Sequence, residues 1–412
     1  MDRVRIKKAI STISNHDKVK RALNELKEIR ELTLREQIAI TEIEAPTFEE
    51  AKRGEYFANM LKEAGVQDIS TDNHGNVFGV RKGSKTNSPR LVVCAHLDTV
   101  FPAGTSVKAI KKDGKIFAPG IADDGRGLAV VLTLARIMDQ LEISTIGDVM
   151  IGATVGEEGL GDLYGVKGLF KDRDDIDGFI SIEPGSPQRI IFSGTGSRRH
   201  RVTFTGPGGH SFGDFGTPSA IHALGRAVSE IADIIVPSEP KTTYNVGEIK
   251  GGTTVNTIAE QASMIIDLRS TDQTVLTSLE KDVMAVIDKA ARIESNRGGD
   301  GTISVSKELV GDRPAGSQEE SDLIVQVAGE CVKQIGLEPL FSAPISTDSN
   351  VPISLGVPSL TLGGGGGFGG AHTVNEFFDP TDDFLGPRQI LLTVLALSGV
   401  DKVSEPLLEK RT

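Results

Sequence analysis

The run from Val149 through Met150, Ile151, Gly152, Ala153 and Thr154 to Val155 constrains the fold more than any other stretch of the chain. It lacks polar and apolar alternation, and a strand of that kind is covered on both faces, as in a parallel sheet flanked by helices. Two adjacent carboxylates, Glu157 and Glu158, follow almost at once. Open α/β sheets place their ligands outside the carboxyl ends of the strands. A Glu-Glu pair alone is ordinary solvated surface, so the weight rests on further strand-like runs that also end in metal-ligand residue types.

Those runs alternate with helical patterns. Residues 17–43 place Val19, Leu23, Leu26, Ile29, Leu32, Ile38 and Ile40 at roughly helical spacing, and Thr47 opens a second predicted helix over 47–61. Alternation over 68–80 around His74-Gly75-Asn76 predicts a hairpin with His74 as a turn residue. A strand over 91–95 ends in His96-Leu97-Asp98, a helix covers 125–141, and strands over 149–155 and 178–182 follow, the last ending in Glu183-Pro184. Strands alternating with helices imply right-handed crossovers and a mainly parallel sheet.

From residue 194 the texture changes. Strand 201–205, helix 218–235, strands 242–249 and 262–269, helix 275–293 and strand 302–306 give the β-α-β-β-α-β order of a ferredoxin-like split unit. The chain then returns through a helix over 321–335, strands near Leu340 and over 358–362, a glycine run over 363–370, a helix over 387–397 and a polar tail. The fold class is therefore α/β, a mainly parallel sheet flanked by helices. Residues 1–193 and 310–412 form the first domain, and 194–309 an inserted ferredoxin-like α+β domain.

A chain of 412 residues exceeds the usual size of a single core, in keeping with two domains. Apolar content of 38% and the lack of a long apolar stretch exclude a membrane protein. The charged amino terminus lacks a signal peptide's apolar core and cleavage site, which places the protein in the cytoplasm. Cys94 and Cys331 form no CxxC pattern and read as reduced, structural cysteines. A net charge of -12 opposes binding to a phosphate backbone, so nucleic acid is not a partner.

The candidate metal ligands are His96, Asp123, Glu158, Glu183 and His372. Successive gaps of 27, 35 and 25 residues separate the first four, each near the size of one βα unit, so all four can reach one sheet edge. The last gap, 189 residues, accommodates the insert. Three carboxylates and two imidazoles suit a pair of borderline divalent cations, one carboxylate bridging and positions left open for water and substrate. Two such cations can share a hydroxide and polarise a carbonyl, the requirement for amide hydrolysis at neutral pH. Glu157, beside a ligand, would be the general base. The glycine run lacks a following Gly-Lys-Ser/Thr and so is not a nucleotide cradle; its expected role is to let backbone approach the substrate ahead of His372.

The segments CAHLDTV, PGIADDGRGL, GEEG and SIEP, with the late His372, resemble the signature of the zinc exopeptidase and deacylase family of peptidase T, aminoacylase, carboxypeptidase G and acetylornithine deacetylase. The resemblance implies that His96, Asp123 and Glu183 hold one zinc ion and Asp123, Glu158 and His372 the other, with cobalt or manganese as substitutes. Asp123 is then the bridge, and Asp124 is joined to it by a cis peptide bond. Asp98 resembles the carboxylate that fixes the imidazole tautomer of His96, and Glu157 the catalytic glutamate. In the insert, His210 of GPGGHS resembles an oxyanion-stabilising histidine that acts on the partner subunit's site, and Asn256 and Arg269 match residues that hold substrate carbonyl or carboxylate. The insert is in this light a lid or dimerisation domain; the family includes homodimers and monomers.

The spelling GGHSFGDFGTPSAIHAL and the glycine-rich segment resemble the peptidase T branch, which implies aminopeptidase action on short peptides. N-acyl amino acid deacylase or carboxypeptidase action is the alternative within the family. Outside enzymes, the alternative is a catalytically silent metal- or peptide-binding protein, against which the retention of Glu157 beside all five ligand types weighs. Asp348 and Arg313 are read as loop residues.

Overall fold

Four apolar strands, Asp148–Thr154, Arg90–His96, Gly178–Glu183 and Ser359–Gly363, run parallel to one another at the centre of an eight-stranded sheet. Gln67–Thr71 and Val77–Arg81 extend one side antiparallel, and Arg189–Ile191 and Leu340–Phe341 extend the other. The first two form the predicted hairpin. The register pairs His96 with Thr154 and Gly363 with Glu183, so the carboxyl ends of the four central strands finish at one edge. The structure is a computed structural model that describes residues 3–411.

The chain divides into two compact units, Met1–Ser193 with Ser317–Thr412, and Gly194–Gly316. In the first, the helix Gly125–Gln140 is buried nearly all round through Leu128, Val131, Leu132, Ala135 and Met138. A helix apolar on every side belongs in a core, and this one packs against the sheet strands Arg90–His96, Asp148–Thr154 and Gly178–Glu183. Helices Leu323–Gln334 and Leu385–Ser398 contribute Val325, Ala328, Leu391 and Leu395 to the same core.

In the second unit the antiparallel sheet order is Thr242–Gly251, Gln261–Ser270, Gly196–Thr205, Ser304–Arg313. Helices Ala220–Ala232 and Gln273–Ser295 bury Leu224, Ile231, Leu276, Val283 and Ile287 against it. The last strand runs to Arg313, well beyond the predicted 302–306, because it pairs with residues 197–205 of the strand Gly196–Thr205.

Several local expectations change. The amino-terminal region forms three helices, Arg3–Asn15, Asp17–Glu28 and Arg30–Thr41, the first of which buries Ile6, Ile10 and Ile13 at helical spacing. The helix predicted from Thr47 begins only at Ala51, since the Thr47 hydroxyl donates to Asp98 at 2.9 Å. The polar tail is anchored: Leu407 and Leu408 are buried and donate backbone hydrogen bonds to Ala396 and Leu397. Two positions of the glycine run are demanded by backbone packing within its own unit. A Cβ on Gly363 would stand 2.1 Å from the Ser186 carbonyl oxygen, and one on Gly365, at φ +82°, 2.6 Å from that of Asp383. No helix among the described residues is long and apolar enough to cross a membrane.

Candidate active site

The site is assembled where the helix Gly125–Gln140 meets the strand ends. Asp124 caps that helix, accepting from the Gly127 N–H at 2.9 Å, and its other oxygen accepts from the His96 N–H at 3.2 Å. One buried carboxylate thus ties the end of the His96 strand to the segment that carries Asp123, while an N-cap satisfies a helix-start donor that has no other partner. The Asp123–Asp124 peptide bond is cis.

Asp123 faces two imidazoles with its two oxygens. Oδ1 lies 3.1 Å from His96 Nε2, and Oδ2 lies 3.2 Å from His372 Nε2, which is also 3.1 Å from Glu158 Oε1. Donor atoms of His96, Asp123 and Glu183 lie within 4.8 Å of one another, as do those of Asp123, Glu158 and His372 and those of His96, Glu157 and Glu158. All five sequence-predicted ligands and Glu157 are therefore together. Each comes from a strand end or a following loop, except Asp123, which precedes the core helix.

Charge is crowded here. Burial pushes the Glu183 carboxyl well above the usual carboxylate range; His96 opposes the rise, and Asp124, Asp123 and Glu157 add to it. Burial works against an ionised Asp123, yet its hydrogen bonds to His372 and His96 hold it well below that range. Hydrogen bonds to Asp123 and Glu158 raise His372 to about 10. A neighbourhood this rich in carboxylates favours positive charge at its centre.

The loop after the Asp148–Thr154 strand is fixed by Asp98. Its carboxylate, fully buried, accepts from the Glu157 N–H at 3.0 Å, the Glu158 N–H at 2.9 Å and the Thr47 hydroxyl. His96 Nδ1 lies closer to the Asp98 backbone carbonyl, at 2.9 Å, than to its carboxylate, at 3.5 Å. The chain's own carbonyl is thus the nearer partner that orients the ring. In the sequence Thr47 reads only as the start of a helix, and Glu376 goes unremarked; the fully buried Glu376 carboxylate accepts from the N–H groups of Gly120, Ala122 and Asp123. The one signal for Glu376 was an acidic residue beside the apolar pair Phe377-Phe378. Asp348, read as a loop residue, is buried and takes a hydrogen bond from Thr154.

The other three predicted residues belong to the second unit. His210 and Asn256 are neighbours there: Ser211 donates to the Asn256 carbonyl at 3.0 Å, and Gly209–His210 pairs with Thr257–Ile258. His210 Nδ1 accepts from the N–H groups of Phe212 and Gly213, both at 3.2 Å, so a neutral ring carries its proton on Nε2. Asn256 accepts from the Thr254 hydroxyl, and Arg269 Nε donates to Asp267 at 2.7 Å.

A fold of this kind with an imidazole and carboxylate cluster at the sheet edge defines a metallopeptidase or related amidohydrolase. The chain belongs to Peptidase family M20/M25/M40, whose profile matches residues 92–396. Protein YqjE of Bacillus subtilis is 25% identical over 344 residues, covering 81% of this chain and 88% of that protein. Carboxypeptidase G2 of Pseudomonas is 26% identical, over 53% of this chain and 54% of its own length. The solved structure of a tripeptidase from Staphylococcus aureus, 23% identical, superposes with a TM-score of 0.75 over 89% of this chain and 97% of that one.

Proposed function

We propose that the protein is a dinuclear zinc hydrolase that cleaves an amide bond of short peptides, acting as a tripeptide aminopeptidase. The observation that carries this reading is Asp123, whose two oxygens address His96 and His372 separately, with Glu183 and Glu158 completing the two groups. His96, Asp123 and Glu183 would hold one cation, and Asp123, Glu158 and His372 the other. The donors fit, since imidazole and carboxylate suit zinc, with cobalt or manganese as substitutes, and cations would offset the burial and the neighbouring carboxylates that raise Glu183. When bound, the two ions supply Lewis-acid polarisation of the scissile carbonyl and of the attacking water.

The chain's own residues do the rest. Glu157 accepts the proton of the attacking water and returns it to the leaving amine, while Asp98 holds the backbone of Glu157 still. His210, with a proton on Nε2, donates to the carbonyl oxygen as charge develops, in trans within a homodimer formed through the second unit. Asn256 and Arg269 hold the substrate's carbonyl and carboxylate, the arginine fork being suited to the latter. The assigned compartment is the cytoplasm, where Cys94 and Cys331 would stay unpaired, as they are here.

A second reading, carboxypeptidase or N-acyl amino acid deacylase, draws on the similarity to carboxypeptidase G2. A mass-spectrometric screen of the zinc-loaded protein against dipeptides, tripeptides and N-acyl amino acids separates the two. Loss of amino-terminal residues from tripeptides, reduced about 10²–10⁴-fold in Glu157→Ala, is the expected result. Cleavage confined to N-acylated or carboxyl-terminal bonds would select the second reading. No cleavage sensitive to Glu157→Ala would make the protein a silent binding protein.

A further inference from the structure

His372 lies in a loop between two short strands, Gly367–Gly369 and Phe377–Asp379, which pair with each other. The second of these pairs with Lys115–Phe117, the strand that leads toward Asp123. The ladder ends at the Phe377 and Phe117 pair, so it does not itself reach residues 118–123. Glu376 takes over there. Its backbone carbonyl accepts from the Ala118 N–H at 3.1 Å. Its carboxylate accepts from Gly120 N–H on Oε2 at 3.1 Å, and from Ala122 and Asp123 N–H on Oε1 at 2.8 and 2.9 Å.

These three amides belong to a turn that cannot pair with a neighbouring strand, and a buried N–H without an acceptor is costly. An apolar residue at 376 would leave all three facing apolar surface. The acceptor that satisfies them stands only four residues after His372, on the segment that leaves the His372 loop. The Gln37 amide steadies the same turn from the other side, donating to the Ile121 carbonyl at 2.7 Å, but it has no covalent link to the His372 loop.

We infer that Glu376 is a positioning residue, which sets Asp123 against His372 so that the two address one cation. The inference rests on the dinuclear reading of the site. Carboxylates that orient metal ligands without touching the metal typically contribute 10–100-fold in affinity. An isosteric amide should do part of the work: in Glu376→Gln the side-chain carbonyl oxygen can still accept from Ala122 and Asp123, while the NH₂ would oppose the Gly120 N–H.

The test is zinc affinity of chelator-stripped protein at pH 8, read by competition with a chromophoric chelator, for wild type, Glu376→Gln and Glu376→Leu. Glu36→Gln, which removes the partner of Arg136 near the far end of the core helix Gly125–Gln140, away from Asp123, controls for general loss of stability. The expected result is two ions bound by wild type and by Glu36→Gln, with weakening of about 10–100-fold in Glu376→Leu and a smaller loss in Glu376→Gln. A kcat that falls in the same order while KM changes little would accompany it. If Glu376→Leu does not fold, Glu376→Gln carries the test and must lose more than about twofold. Affinities within twofold of wild type in every folded Glu376 variant would overturn the role of Glu376 alone. A wild-type protein that binds no divalent cation would overturn the dinuclear reading and this role with it.

Discussion

Asp98→Asn should damage the site without removing a ligand, and the structure gives the size of the effect. The carboxylate is fully buried and accepts three hydrogen bonds, from the Glu157 N–H, the Glu158 N–H and the Thr47 hydroxyl. Burial works against its charge, but the His96 imidazole beside it and these backbone donors hold its pKa below the usual range, so its surroundings prefer it ionised. An asparagine oxygen in the place of Oδ2 keeps Glu158 and Thr47 as donors but turns an NH₂ toward the Glu157 N–H. One buried donor left unpaired costs about 1–3 kcal/mol, and two charge-assisted bonds reduced to neutral ones lose about 1 kcal/mol each, for a total near 3–5 kcal/mol. At roughly 2 °C per kcal/mol for a unit this large, the melting temperature should fall by about 6–10 °C. Calorimetry in chelator isolates this from any loss of metal. Turnover should drop about 10²-fold through misplacement of Glu157. A chelated Asp98→Asn protein melting within about 1 °C of wild type would refute the reasoning.

Two further outcomes test the frame around the site. Arg53, fully buried, donates to the carbonyl oxygens of Ile43 and Leu97 at 2.8 Å and of Thr41 at 3.2 Å, and burial lowers its pKa to about 10; because an ammonium cannot span three carbonyls as a planar fork does, Arg53→Lys should cost about 2–4 kcal/mol in urea unfolding, and a cost under 1 kcal/mol would contradict this. Asp148 sits below its ordinary 3.8 because its hydrogen bonds from Arg90 and the Gly83 N–H outweigh burial. The folded chain therefore binds this proton less readily than the unfolded chain, so the stabilisation is complete above pH 3.8 and fades as pH falls through the lower folded value. The gap in melting temperature between wild type and Asp148→Asn should be largest near neutral pH and close in acid; a pH-independent gap would count against the ion pair.

The central strands were legible because parallel strands buried on both faces leave an uninterrupted apolar run, as in 149–155, and the core helix Gly125–Gln140 because its apolar run is too long for a strand. The helix ends were harder. Thr47 has the chemistry of an N-cap, but Asp98, distant in sequence, recruits its hydroxyl, and the helix starts four residues later at Ala51. The carboxyl-terminal tail looked polar because its burial depends on only two residues, Leu407 and Leu408, too few to show a period. The glycine run was visible as a run, but the backbones it admits, those of Ser186, Asp383 and Gly386, come from elsewhere in the chain, so its purpose was not.

The same distinction separates the ligands from the residues that aim them. His96, Asp123, Glu158, Glu183 and His372 could be singled out as candidates from their own types and spacing, because a metal donor must carry a donor atom and strand ends recur at βα intervals, and the structure gathers their donor atoms. Glu376 is a donor type too, but nothing in its spacing says what it serves. Its partners are backbone N–H groups, which every residue but proline possesses, and which of them lack an acceptor is decided only when the Phe377 and Phe117 ladder stops short of the turn. Asp98 shows both cases in one residue: its position two after His96 marks it as a helper of that ring, yet most of its hydrogen bonds go to the Glu157 and Glu158 backbone and to Thr47. A chain that kept all five ligand types but lost Asp98 and Glu376 would look the same to a search for donors. It would still present the donors, but without the two carboxylates that gather the backbone N–H groups around Asp123 and the Glu157 loop.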